Sequence, residues 1–130
     1  MNNILPSKEK TFEFEHTAET GKEYKGRFTV LCSLNVGQKH AMSLEKTRLL
    51  GGYAEPTADL AGFAVIFANL RAKIVDAPEW WKQSAGGALI EDEDAIVALY
   101  RKLGEQEELW KTDLKKKTEV LPDPTPTTQS

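Results

Sequence analysis

Hydrophobic and polar residues alternate singly from residue 11. Phe12, Phe14 and His16 fall on one face, and Thr11, Glu13 and Glu15 on the other. After the stretch Thr17–Lys22 the alternation resumes, with Tyr24, Phe28, Val30 and Cys32 on one side and Lys25, Arg27 and Thr29 on the other. A period of two carried by aromatic and β-branched residues marks half-buried strands. Gly21 offers the positive φ that a hairpin turn usually requires. Antiparallel pairing would bring Glu13 and Glu15 against Lys25 and Arg27, which supports the hairpin electrostatically. A lone two-stranded hairpin is marginal in water, so its aromatic face must pack on another element.

From about Ser33 the period becomes helical. Asn35 is placed to cap a helix with apolar positions Val36, His40, Leu44 and Leu50, ended by Gly51–Gly52. Thr57 is the expected N-cap of a second helix, with Asp59 in its first turn. Its Leu60, Phe63, Phe67, Leu70 and Ile74 recur at spacings of three and four. Ala61, Ala64, Val65, Ile66 and Ala68 widen the apolar surface, so burial on more than one side is expected, with Phe67 in the core. This helix should run to about Asp76, because Pro78 stops it and disfavours the α region at Ala77. Residues 79–90 hold Trp80–Trp81 and the flexible stretch Ser84–Gly87. The run Glu91–Asp94 opens a third helix with the charge that a helix N-terminus favours. Its stripe is Ile96, Leu99, Tyr100, Leu103 and Trp110, reaching towards Leu114, and Lys115–Lys117 close it. Gly104 weakens its middle by roughly 1 kcal/mol relative to alanine. From Pro122, proline alternates with polar residues; such a segment cannot form a core and is expected to be extended or disordered.

The pattern therefore predicts an α+β fold, an N-terminal hairpin packed on about three helices. A polar arm occupies residues 1–10, the single domain residues 11–117, and a Pro/Thr-rich tail residues 118–130. A length of 130 residues suits one domain, which at this size buries roughly two-thirds of its unfolded surface. The net charge of −3 gives no case for nucleic acid, whose phosphates need a basic face. Cys32 is the single cysteine, so no internal disulfide can form, which fits a reducing compartment. The polar start Met1-Asn2-Asn3 leads only to Ile4-Leu5 before Pro6, without the apolar run of a secretory signal. No stretch approaches the ~20 apolar residues that span a bilayer. A soluble cytoplasmic protein with no membrane partner is expected.

Candidate chemistry is sparse. His16, Cys32 and His40 are the residues able to form a nucleophile–base pair or a soft metal site, and their spacing matches no zinc pattern. His16 near the turn should be exposed, Cys32 should pack on the strand's apolar face, and His40 should be a structural histidine. The acids Glu91–Asp94 form a run, which reads as a solvated helix start; glycosidase chemistry needs carboxylates on opposite sides of a cleft. Gly51-Gly52 and Gly86-Gly87 lack the lysine and hydroxyl of a P-loop and the spacing of a dinucleotide fold. No catalytic residue, cofactor or metal is expected, and the chain reads as non-enzymatic. Trp80 and Trp81 are adjacent and cannot both point the same way. Either one plugs the core and the other lies at the surface or in an interface, or both bury within the fold. Tryptophan is enriched among interface hot spots, so Trp80, Trp81 and Trp110 are the candidate partner-binding residues.

The stretch Asp76-Ala77-Pro78-Glu79-Trp80-Trp81, then Ile90-Glu91-Asp92 and Ile96-Val97-Ala98-Leu99-Tyr100, resembles a group of small tailed-bacteriophage proteins. The resemblance extends to the hairpin Phe12-Glu13-Phe14 with Gly21 to Thr29, to Leu49-Leu50-Gly51-Gly52 and to Glu105–Trp110, covering about residues 11–115. It is one of pattern and contains no metal or phosphate motif. Such proteins are described as tail assembly chaperones, which implies binding to the tape-measure protein or tail-tube subunits in the host cytoplasm. Similar small proteins stay in the virion as capsid-associated, decoration or head–tail components. Arms at residues 1–10 and 118–130 would suit that role, since segments that order on binding can wrap neighbouring capsid subunits. The proline-rich end differs from the longer extension that some tail chaperones carry. A homo-oligomer is left open.

Overall fold

The computed structural model of the chain describes residues 7–51 and 57–120. Strands β1 (Glu9–Thr17) and β2 (Glu23–Leu31) form the expected antiparallel hairpin. Its register sets Glu13 opposite Arg27 and Glu15 opposite Lys25, with salt bridges of 2.6 and 3.2 Å. These pairs lie on the solvent face. The opposite face buries Phe12, Phe14, Tyr24, Phe28 and Val30. The turn closes through Gly21, at φ +92°, whose N–H donates to the Ala18 carbonyl.

Helix α1 (Val36–Leu49) starts in a full capping box. Asn35 Oδ1 accepts from the Gln38 N–H while the Gln38 side chain accepts from the Asn35 N–H. Helix α2 (Ala58–Lys73) is capped by the Thr57 hydroxyl, as its sequence indicates. Its C-terminal end differs from expectation: the helix stops at Lys73, and Ile74–Asp76 form a third strand, β3, antiparallel to β2 beside Thr29 and Val30. Ile74 and Val75 are β-branched and so tolerate either state. The free edge of β2 supplies the hydrogen bonds that decide for strand, and Pro78 keeps α2 from continuing through Ala77.

The segment after Pro78 is also more ordered than a linker. Glu79–Lys82 form a short helix, α3, that turns Trp81 into the core. The last helix, α4 (Glu93–Val120), starts two residues later than expected and carries Gly104 in its middle. It buries Ala95, Ile96, Leu99 and Leu103 against the sheet. Its two ends are tied to β1, by His16 to Asp94 at 2.8 Å and by Lys10 to Asp113 at 3.2 Å.

The core therefore sits between one face of a three-stranded sheet, in the order β1-β2-β3, and helices α2 and α4. Phe28, fully buried, is its centre, with the rings of Phe12, Phe14, Trp80 and Trp81 between 5.6 and 6.2 Å away. Leu70 is the fully buried anchor of α2, whereas Phe67 is only half-buried. The four helices with an N-terminal sheet make the fold α+β. The arm before residue 7 and the proline-rich segment from residue 121 lie outside the described residues. Among the described residues no helix is long and apolar enough to cross a membrane.

Candidate functional site

The two adjacent tryptophans separate as their geometry requires. Trp81 is buried in the core. Trp80 is half-buried: one side of its ring lies on Phe14, Tyr24 and Phe28, and its indole N–H donates to the Lys25 carbonyl at 2.7 Å. Gly26, between them, is a requirement of close approach. A Cβ there would meet the Pro78 ring at 2.5 Å, so the chain leading into α3 lies directly on the strand. Trp110 is half-buried on α4. Of the three candidate residues, Trp81 is structural, Trp80 forms the wall of a surface groove, and Trp110 lies on the helix flank beside exposed Leu109.

A different surface stands out once the helices are assembled. Helix α1 buries no residue. Its expected apolar stripe faces solvent, with Val36 82% and Leu44 59% exposed and His40 exposed as well. The contact stripe is instead Met42, Glu45 and Leu49, at spacings of three and four, which lies against α2. Glu45 links the helices electrostatically: it accepts from Arg71 at 2.7 Å and from Arg48 at 2.7 and 2.8 Å. Those guanidinium groups hold its carboxyl well down, at about 2. Arg71 in turn lies 5.2 Å over the Phe67 ring and donates to the Gly86 carbonyl at 3.2 Å. On α2 itself the apolar residues run around the helix, yet only Ala64, Ala68 and Leu70 are buried. Leu60, Phe63 and Val65 remain half-exposed. A helix that is apolar all round is ordinarily buried all round. The exposed side of α1 adds Lys39 and Lys46, which have no carboxylate partner among the described ion pairs.

The acidic run has another role than the solvated helix start that its sequence suggests. Asp92 is buried and accepts from the hydroxyls of Thr20, at 2.8 Å, and Tyr24. Asp94 accepts from His16 and from the Glu19 N–H at 3.2 Å. His16 is accordingly half-buried rather than exposed. Burial first, then the hydrogen bond to Asp92 and the surrounding carboxylates, push the Tyr24 hydroxyl up to about 12. The pairing with His16 holds the Asp94 carboxyl below its usual range. These contacts line an open cleft of about 750 Å³, between the hairpin turn and the start of α4. Both carboxylates are occupied in fastening the turn to the helix, so the cluster is a latch. Cys32 is buried at the end of β2, its thiol pushed up by burial and directed at the Gln106 carbonyl at 3.5 Å.

Sequence reading missed both the α1–α2 surface and the buried Asp92. The only local signal for the first was the even distribution of apolar residues around α2, which periodicity reads as burial. For the second there was none, since the partners of Asp92 lie about seventy residues away. Comparisons of the chain with protein-family models, with curated proteins and with solved structures give no match.

Proposed function

We propose that the chain is a non-enzymatic assembly protein of a tailed bacteriophage, of the tail-assembly-chaperone type, which binds another morphogenetic protein through the α1–α2 hairpin. One observation carries this reading. A 14-residue helix with no buried residue packs on a second helix whose apolar surface exceeds what it buries among the described residues. A helix this short is marginal without tertiary packing, and an apolar partner would complete that packing. The chemistry of the surface specifies the partner. Leu44 and Val36 ask for an apolar stripe, and Lys39 and Lys46 for acidic residues flanking it. An acidic amphipathic helix fits these requirements.

Co-expression with the phage tape-measure, tail-tube and capsid proteins tests the proposal. A complex with one of the tail proteins is expected, and the mature particle should lack the chain. Leu44→Asp and Val36→Asp should abolish the complex with little change in stability, because both side chains are exposed. Failure to bind any of these proteins overturns the reading. Stoichiometric presence in purified virions also overturns it, in favour of a capsid-associated or head–tail component.

A further inference from the structure

A second groove adjoins the latch's cleft and shares Glu91 with it, beside the short helix α3. It encloses about 370 Å³ and is walled by Trp80, Tyr24, Leu89 and Ile90, with Lys22 and Gln83 on its rim. Leu89 is 70% exposed although the neighbouring Ile90 packs against the core, so the loop holds an apolar side chain out over the groove. The Lys22 ammonium lies 5.3 Å over the Tyr24 ring and has no carboxylate partner among the described ion pairs. Glu91 is the one acid at the margin.

Tyr24 itself is buried, so the half-buried Trp80 supplies the aromatic wall, and with an apolar cover and a donor on the rim it offers what a polyproline II segment requires. Proline rings pack on aromatic faces. The segment's backbone carbonyls, which make no internal hydrogen bonds, can accept from a side-chain amide such as that of Gln83. The chain carries such a segment in Leu121-Pro122-Asp123-Pro124-Thr125-Pro126. Its three prolines fix φ near the polyproline II value, and its single charge, Asp123, complements Lys22.

Reach decides which copy supplies it. The groove ends at Glu91, beside the start of α4, whereas the segment follows Val120 at the other end of that 28-residue helix. At 1.5 Å per residue, α4 separates the two by about 40 Å. The six residues to Pro126 span at most about 21 Å when fully extended. The segment cannot return to its own groove. We infer that the Tyr24–Trp80 groove binds the Pro122–Pro126 segment of a second copy, head to tail. Such a heterologous contact closes as a reciprocal exchange between two copies, or repeats from one copy to the next into larger rings or chains. It is independent of the α1–α2 surface.

Sedimentation velocity of the full chain, from micromolar to millimolar concentration, tests this. Wild type should self-associate into dimers or larger oligomers, and a peptide of residues 118–130 should disperse them. Leu89→Asp disables the groove at an exposed position, and a triple Pro122→Gly, Pro124→Gly, Pro126→Gly variant disables the segment. Each variant should be monomeric alone, with at least about a tenfold loss of association. Mixed together they should form a 1:1 dimer, because one retains a segment and the other a groove. A wild-type chain that stays monomeric at every concentration overturns the inference, even if a foreign proline-rich peptide enters the groove. Self-association that survives the triple variant, or that disappears only with Leu44→Asp, overturns it as well and moves the contact to α1.

Discussion

Removing one hydroxyl, by Tyr24→Phe, isolates the latch between hairpin and helix. The Tyr24 ring stays, with its packing on Trp80 at a centroid distance of 5.2 Å. What disappears is a donor to the buried Asp92 carboxylate, which keeps only the Thr20 hydroxyl at 2.8 Å. A hydrogen bond to a charged group contributes about 1.5–3 kcal/mol. The displacement of the Tyr24 hydroxyl gives an independent ceiling. Raising it from 10.0 to about 12 corresponds to roughly 3 kcal/mol between its two protonation states. A loss near 2 kcal/mol is therefore expected, which for a domain of this size lowers Tm by roughly 5–10 °C. The sign with pH follows from linkage. Folded Tyr24 holds its proton more tightly than the unfolded chain does, so its contribution is complete below pH 10 and is lost as pH rises towards 12. Urea unfolding followed by tryptophan fluorescence should show a constant gap between wild type and Tyr24→Phe from neutral pH to about 10. The gap should then shrink over the next two pH units. Asp92→Asn serves as control: the tyrosine ionisation should move down yet stay above 10.0, because burial, the largest cause, is retained. A stability change under about 0.5 kcal/mol, or a gap that does not change with alkaline pH, would refute the latch.

Gly26→Ala should cost about 1–3 kcal/mol by overpacking against the Pro78 ring, and calorimetry of the double variant with Pro78→Gly, which removes the clashing Cβ and Cγ, should show a smaller added loss than the same Gly26→Ala change in wild type. Leu70→Ala, at a fully buried site, should cost about 2–5 kcal/mol; truncation of half-buried Phe67 should cost less in the same denaturant titration. Glu45 is held down to about 2 by Arg48 and Arg71, so its contribution is complete above pH 4.5 and is lost as pH falls from there towards 2. Amide exchange in α1 should therefore rise in acid before that of the sheet, and Glu45→Gln should show the raised exchange already at neutral pH.

Much of the framework was legible because it is local. The caps at Asn35 and Thr57 act on backbone within three residues, so the residue type announces the helix start. The hairpin register followed from alternation and from Glu13 and Glu15 meeting Arg27 and Lys25 across a short turn. The α4 stripe of Ile96, Leu99 and Leu103 followed from a single helical period.

The features that bear on function depended on partners distant in the chain. Ile74 continues the α2 periodicity, and only the open edge of β2 makes it a strand. Trp80 and Trp81 are equivalent by local chemistry; the line that Pro78 takes over Gly26 decides which one fills the core and which walls the groove. Val36 and Leu44 read as a core stripe, but a helix offers several faces, and the Glu45–Arg71 link turns the Met42–Leu49 side inward. The sequence by itself determined where α1 and α2 begin, how the hairpin pairs and that the fold is α+β, since those depend on neighbours a few residues apart. Only the tertiary structure decided which apolar surface stays uncovered and which carboxylate is buried. Those outcomes depend on how whole elements compete for the same core.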